Sequence, residues 1–487
     1  MIFYRSSLLS RKGTIEQADV KIPMSDAQAS IPRRARLSFP PLFKRSLPIV
    51  AATLLSRPLG YIRVALQAWL FGATAAMDAF VIAFSVPSIL QVVLLSGPLS
   101  GVLVPTLTAY RNDRHVLNHL FNSLFTLCLL VSLVIAGLAF LGAPTLMRIA
   151  GPGLAPETRS LATVLFQIML PMLMMQALLS VCKGVLNTLD HYGAPEYAGV
   201  LFNLVFIAAA LLLSPRFGIV SLAIGASLGG VAQLLMQFPF LARYGMRYRP
   251  QIRFGTALKQ MSALAKGAFI SAIILPLTTL IDRALASLLF PGAIAALNYG
   301  FTLFLLPASL CVVPLSTVLL TDLASLYHEG NVRALRSKTL SGLRWVVCLT
   351  APVALAGAFL AEPLTRLAYE YGRFVASDTL HTSQVVRMYL LGLPFYGAWH
   401  LLNRSFYAIQ DTMTPALIGL GTLGLNVLGD LLFMQFFSHW GIALARTVAT
   451  LAAAITLYVL FQCRCMKLIA TPQASGSGAL DSSDQVG

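Results

Sequence analysis

Arg57 and Arg63 stand six residues apart in SRPLGYIR, inside an otherwise apolar stretch. On a regular helix that spacing turns them ~120° from each other, and Pro58 between them can bend it. No acid in the same stretch balances either one. Two unbalanced guanidiniums beside a cleft suit phosphate or pyrophosphate, because the planar fork takes such oxygens bidentately. They could equally snorkel to an interface or pair with Asp78 of the next apolar segment. A second group is acidic. Asp282 lies in LIDRALASLLF next to Arg283, and TLGLNVLGDLLF sets Asn426 and Asp430 at i and i+4 on one helix face. Thr447 follows near the start of GIALARTVAT. Two carboxylates, an amide and a hydroxyl make an all-oxygen set suited to a hard cation such as sodium. A plainer reading is a set of polar interhelical hydrogen bonds, with Asp282 paired to Arg283. Arg446, beside Thr447, competes for the carboxylates.

The elements that must hold these residues are set by composition. The chain is 57% hydrophobic and 11% charged, against about 25% charged in a soluble domain. That excludes a soluble fold and points to an all-α polytopic membrane protein. A spanning helix needs about 20 apolar residues. A scan at that length gives about twelve spans, near 46–70, 78–108, 117–143, 160–186, 195–214, 218–240, 262–289, 294–322, 342–366, 386–408, 415–436 and 440–462. The second and eighth are long enough to tilt, kink or extend past the membrane. The net charge of +17 reads as basic cytoplasmic loops set against anionic lipid, with no nucleic acid as partner. Basic residues recur in alternate loops, at Arg111, Arg114, Arg243, Arg247, Arg249, Arg333, Arg336 and Lys338, and again at Arg464 and Lys467. The intervening loops are short and nearly uncharged, apart from 367–385. Both termini are therefore expected in the cytoplasm.

Residues 1–44 are basic and polar with no apolar run of spanning length, and read as a disordered cytoplasmic tail. An N-terminal six-helix lobe over 45–240, a basic cytoplasmic linker over 241–259, a C-terminal six-helix lobe over 260–463 and a disordered tail over 464–487 complete the expected organisation. The six cysteines have no CxxC spacing and read as unpaired. Lys183 with Asp190 and Arg404 with Asp411 read as matched structural salt links. His115 and His119 read as interfacial rather than metal-binding. No P-loop and no nucleophile motif is found, so the chain is not expected to be an enzyme.

The chain also repeats itself. LFGATAAMDAFVIAFSVP from Leu70 returns as LFPGAIAALNYGFTLFLLP from Leu289, PLSGVLV at Pro98 as PLSTVLL at Pro314, and the segment around Pro195 as that around Pro415, all at an offset of about 220 residues. Three matches in order imply a duplication. Six spans per half return the chain to the same side, so the halves should be related by an axis along the membrane normal, with a central cavity between them, as in transporters built from parallel repeats.

At SRPLGYIRVALQAWLFGATAAMDAF, LTTLIDRALASLLFPGAIAALNYG and LGLPFYGAWHLLNRSFYAIQDTMTP followed by LNVLGD, the chain resembles the MurJ (MviN) lipid II flippases of the multidrug/oligosaccharidyl-lipid/polysaccharide exporter superfamily. The resemblance covers about residues 46–462. It implies a V-shaped cavity between two six-helix lobes and export of an undecaprenyl-pyrophosphate-linked sugar to the outer leaflet. It puts Arg57 and Arg63 on cavity arginines, Asp78 on the usual acid of the second span, and Asp282, Asn426, Asp430 and Thr447 on a sodium site found in some members. The chain also departs from the family pattern. Gln91 stands for a cavity arginine and Ser96 for a glutamate. Phe301, Thr302 and Leu305 stand for an acid, an arginine and a second acid, and Val64 for the acid after Arg63. The last two of fourteen spans have no counterpart.

The reading expected is an inner-membrane flippase for lipid II or a related polyprenyl-linked glycan. Arg57 and Arg63 would engage the pyrophosphate, Asp78 would orient them or line the cavity, and sodium would bias the two states. Beyond the substrate, anionic membrane lipids and envelope-glycan synthesis enzymes are the partners such a chain could meet. Two other readings stay open: a cation-coupled exporter of small amphiphiles, and a non-transporting scaffold for envelope-glycan synthesis.

Overall fold

The structure, a computed structural model, describes residues 41–91, 107–108, 111, 113–251 and 276–470, with side chains in the first stretch from 50 to 89. Among the described residues there are helices and no strands. The N-terminal half holds α1 (Pro41–Phe71), α2 (Ala75–Gln91), α3 (Arg114–Leu141), α4 (Ala143–Ala150), α5 (Pro156–Thr188), α6 (Gly193–Phe217) and α7 (Val220–Arg243). The C-terminal half begins in α8, residues 276–286. It continues with α9 (Ala293–Pro307), α10 (Val313–His328), α11 (Val332–Phe359), α12 (Ala361–Tyr369), α13 (Ala376–Leu391), α14 (Leu393–Ala408) and α15 (Met413–Ala470).

Local chemistry explains the ends. Asp113 is extended (φ −102°, ψ 92°) and accepts the N–H groups of His115 and Val116, both at 3.0 Å, so two of the orphan donors that open α3 are filled. Asn331 opens α11 in the same way, accepting from Ala334 at 3.0 Å. The long eighth span is interrupted where expected: a π-helical turn, Ala308–Val312, sits between Pro307 and Pro314, and such turns deflect a helix. Seven helical runs among the described residues are long and apolar enough to cross a membrane, with α9–α10 and α15 each taken as one run. The six cysteines are free.

The duplication is written in the backbone. Gly218, between α6 and α7, has φ 54° and ψ −134°. Ser438 has φ 53° and ψ −138° and breaks α15 into the eleventh and twelfth spans. This region is essentially reserved for glycine, yet the second copy carries serine. Asp190 (φ 59°) and Gln410 (φ 60°) pair in the same way, each the left-handed residue that ends a helix. The short helices α4 and α12 also correspond, each following the third span of its half.

Several expected boundaries are corrected. The C-terminal helix runs to Ala470, so 464–470 is not tail. Leu457, Phe461 and Cys465 recur at i, i+4 and i+8 and are buried in one cluster, and this seam carries the helix onward. α1 starts at Pro41, inside the expected tail. The loop 367–385 is mostly helical, with only 370–375 joining α12 to α13. There the Thr379 hydroxyl and the Arg366 guanidinium hydrogen-bond Glu370 at 2.7 and 3.1 Å and hold its carboxyl below the usual range. Residues 1–40, 92–106, 252–275 and 471–487, with Ser96 and positions 252–259 of the expected linker, lie outside the described residues. The matched salt links do not form. Asp190 pairs instead with Arg111, and Asp411 caps α15 by accepting the Thr414 N–H and hydroxyl at 3.0 and 2.8 Å.

Packing differs between the two ends of the helices. At the end bearing the turns 72–74 and 287–292, here the turn end, one apolar core serves both halves: Met77, Phe80 and Ala83 are buried with Ile294, Ala295 and Tyr299. At the other end the cores are separate. Leu117, Phe121, Val181 and Leu241 form one, and Leu323, Leu335, Leu401 and Phe461 the other. Among the described residues, α2 packs against α9 across the two halves. The halves are thus joined at the turn end and keep separate cores at the other.

Candidate functional site

Asp78 does not meet the arginines. Its buried carboxylate reaches across to α9 and accepts the N–H of Gly292 at 2.5 Å and of Ala295 at 2.7 Å. These are the helix-opening donors that a residue's own neighbour would normally cap. An acid of one half therefore caps a helix of the other, and the helix dipole favours its charge there. Backbone groups complete the closure. Tyr299 donates its hydroxyl to the Gly72 carbonyl at 3.0 Å, the Arg373 N–H donates to Trp69 at 2.9 Å, and the Ala73 N–H donates to Asp378 at 3.2 Å. At Gly292 (φ 99°) a Cβ would lie 2.1 Å from the Ala73 carbonyl oxygen, so only glycine allows this approach.

Arg63 lies beneath that closure. Its guanidinium carbon is 5.9, 5.5 and 5.1 Å from the ring centres of Phe84, Phe202 and Phe206, which hold it by cation–π contact. Its buried Nε has no acceptor. No carboxylate among the described residues lies within ion-pair distance. Arg57, in contrast, is exposed. α1 is fixed beside it by the Asn203 side chain of α6, which donates to the Ser56 carbonyl at 3.3 Å.

Three of the four expected cation ligands come together. Asn426 donates its amide to Asp282 at 2.7 Å and to Asp430 at 2.9 Å, and all three are buried. Thr447 is not hydrogen-bonded to them. Its hydroxyl goes to the Met388 carbonyl on α13 at 2.9 Å. Asp282 is not paired to Arg283 but to Arg446, at 2.8 Å. Arg446 in turn lies 5.0 Å from the Phe301 ring centre, so the aromatic side chain that replaces an acid receives a cation by its face. Two buried oxygens, Asn426 Oδ1 and Asp430 Oδ1, have no donor. The two unsatisfied oxygens, beside the Asp282 carboxylate, are hard-cation ligands by type. Among the described residues no three His, Cys, Asp or Glu form a metal cluster.

Of the other departures, Thr302 turns its hydroxyl to the Asn298 carbonyl at 2.8 Å and Leu305 is exposed. The Gln91 side chain lies outside the described residues. Arg283 reads from the sequence only as a partner of Asp282. It donates to Ser85 of α2 and, at 2.9 Å, to Asn298 of α9. No sequence signal marks this, since both partners are ordinary neutral residues and Ser85 lies in the other half of the chain.

Comparison with known proteins follows the same lines. The family described as lipid II flippase MurJ matches residues 67–473. A probable lipid II flippase MurJ of Buchnera aphidicola subsp. Acyrthosiphon pisum is 32% identical over 421 residues, covering 84% of this chain and 81% of the relative. The lipid II flippase MurJ of Burkholderia cenocepacia is 30% identical, covering 86% and 83%. A solved lipid II flippase MurJ in an inward closed conformation superposes with a TM-score of 0.76 at 27% identity, over 86% of this chain and 89% of that one. An inward-facing multidrug transporter of the same superfamily gives 0.72 at 16% identity, over 87% and 100%, which shows the shared fold.

Proposed function

Since the chain belongs to the MurJ family of lipid II flippases, we propose that it carries a polyprenyl-pyrophosphate-linked saccharide, lipid II or a related glycan precursor, across the bacterial inner membrane by alternating access. The observation that carries this is Arg63: a cation in the membrane interior, gripped by three rings, with a buried donor unused and no carboxylate beside it. Such a group is built for an anion that comes and goes. The charge bias of the loops supports placing the turn end outside and both termini in the cytoplasm. In that orientation the structure is closed to the outside. Basic residues of the inner loops, such as Arg247 and Arg249, would rest on anionic lipid.

Within this scheme the chain is a transporter and not a catalyst. Arg63 binds pyrophosphate oxygens and the exposed Arg57 adds charge on the same helix. Asp78 holds the closed outer end rather than the cargo. The cluster of Asp282, Asn426 and Asp430 would hold one sodium ion, with Thr447 anchoring the neighbouring helix. The ion would meet the Asn426 and Asp430 oxygens that have no donor, while Arg446 holds Asp282 at 2.8 Å. Purified protein should unfold at a higher temperature in sodium than in choline at equal ionic strength, and Asp430→Asn should remove the difference. Equal stability of the unchanged protein in both salts would exclude sodium. Phe301 and Leu305, apolar where the family pattern has acids, favour a cargo head group different from lipid II within the same class.

The test is complementation. Expressed in a bacterium depleted of its own lipid II flippase, with insertion confirmed by a fusion tag, the chain is expected to restore growth if lipid II is accepted. Failure at full expression would exclude lipid II and leave another polyprenyl-linked glycan. That case would be read by vesicle flipping assays with labelled lipid pyrophosphates, and absence of flipping with all of them would overturn the flippase reading.

A further inference from the structure

The charge of Arg283 has no counter-ion within ion-pair distance among the described residues. Its chain neighbour Asp282 is spent elsewhere, one oxygen on Arg446 at 2.8 Å and the other on Asn426 at 2.7 Å. Arg283 gives its own donors to two neutral acceptors, Ser85 Oγ and Asn298 Oδ1. Neutral acceptors satisfy the N–H groups but leave the charge uncompensated in a low-dielectric setting. Arg63 is in the same condition, with rings around it and Nε unpaired.

The two arginines touch the same turn of α2, on neighbouring side chains about 100° apart around the helix. Phe84 lies under Arg63 and Ser85 accepts from Arg283. These residues are consecutive in α2, with Cα atoms about 3.8 Å apart. One turn of α2 therefore touches Arg63 from α1 of the N-terminal half and Arg283 from α8 of the C-terminal half. Both contacts lie on the inner side of the closure. Ser85 is about 10 Å along α2 from Asp78, and Asn298 about 9 Å along α9 from Gly292, at 1.5 Å per residue.

We propose that Arg283 is a cargo-binding residue that forms, with Arg63, a clamp for the two phosphate groups of a diphosphate, one guanidinium from each half. The inference rests on the pyrophosphate-linked cargo proposed above. Ser85 and Asn298 hold the donors of Arg283 in place until phosphate oxygens replace them. Because the two cations belong to different halves, movement of one half against the other separates them. The clamp is therefore complete in one state and divided in the other, which gives the cargo the difference in affinity that alternating access requires.

A mere tie between the halves would need only a hydrogen-bond donor, and this separates the two roles. Arg283→Gln keeps a donor for Ser85 and removes the charge. The full chain, purified in detergent, is titrated with farnesyl monophosphate and farnesyl pyrophosphate. The unchanged protein should prefer the pyrophosphate by about tenfold or more, the worth of one charge-assisted hydrogen-bonding group. Arg283→Gln should bring the pyrophosphate affinity down to that for the monophosphate. Ser85→Ala, which releases a donor of Arg283, should raise pyrophosphate affinity severalfold, a gain that a structural tie cannot give and that a misfolded variant cannot mimic. Retention of the full preference in Arg283→Gln, or weaker pyrophosphate binding in Ser85→Ala, overturns the clamp. Equal binding of both ligands by the unchanged protein also overturns it and leaves the cargo reading intact. Binding of neither ligand removes the pyrophosphate reading itself and the clamp with it.

Discussion

Asp78→Ala is expected to open the turn end of the protein and abolish transport. The carboxylate is the acceptor for two buried N–H groups of α9, at 2.5 and 2.7 Å. Alanine offers neither of them a partner. An abandoned buried donor costs about 1–3 kcal/mol, so the closed state loses about 2–6 kcal/mol. At 1.4 kcal/mol per factor of ten, the balance between closed and open shifts by roughly 30-fold to more than a thousandfold. Asp78→Asn should fall between, since its amide oxygen can still accept while its NH₂ faces donors. The measurement is thiol labelling. A cysteine at the half-buried Ala73, in a chain with its native cysteines replaced, should react faster with an impermeant reagent added from outside when Asp78 is alanine. Unchanged labelling together with full complementation would show that Asp78 does not hold the closure.

Arg63→Ala should lose at least about a hundredfold in transport, because charge-assisted hydrogen bonds of about 1.5–3 kcal/mol each disappear and no nearby cation on α1 shares its enclosure. Arg63→Lys should recover little. A lysine brings the charge, but not the flat fork that binds two oxygens at once and lies against Phe84, Phe202 and Phe206. Arg57→Ala should cost less, since that side chain is exposed and the structure records no described residue holding it. Growth in the depletion strain where lipid II is accepted, and vesicle flipping of the accepted lipid pyrophosphate otherwise, each normalised to inserted protein, measures all three. Full activity of the lysine variant would mean that only charge matters at this position.

Hydropathy and the repeat were enough to read the helical membrane fold and its division into matched halves, because a bilayer forces both. The short helices α4 and α12 escaped notice, since each follows its span with only one residue between and shares its apolar character. The acidic cluster was partly legible: Asn426 and Asp430 share a face by spacing alone, and the family resemblance brought Asp282 to them. Thr447 was not, because its hydroxyl is satisfied by a backbone carbonyl that carries no side-chain signal. Asp78 illustrates the same blindness. A carboxylate near two arginines in the chain invites an ion pair, whereas its partners are amide hydrogens more than two hundred residues away. Arg446 was visible as a competitor for the carboxylates, but its seat on the Phe301 ring was not.

The closure at the turn end also bears on how such proteins diversify. Each hydrogen bond of the closure has a main-chain amide or carbonyl on at least one side, met by Asp78, Asp378, Tyr299 or, for the Arg373 N–H, the Trp69 carbonyl. The chamber below is chemically defined by side chains, and substitutions there are free to alter what is recognised. Closure and recognition thus draw on different residues. A lineage can exchange arginines and acids for phenylalanine, threonine and leucine, acquire a new passenger, and still inherit a working door.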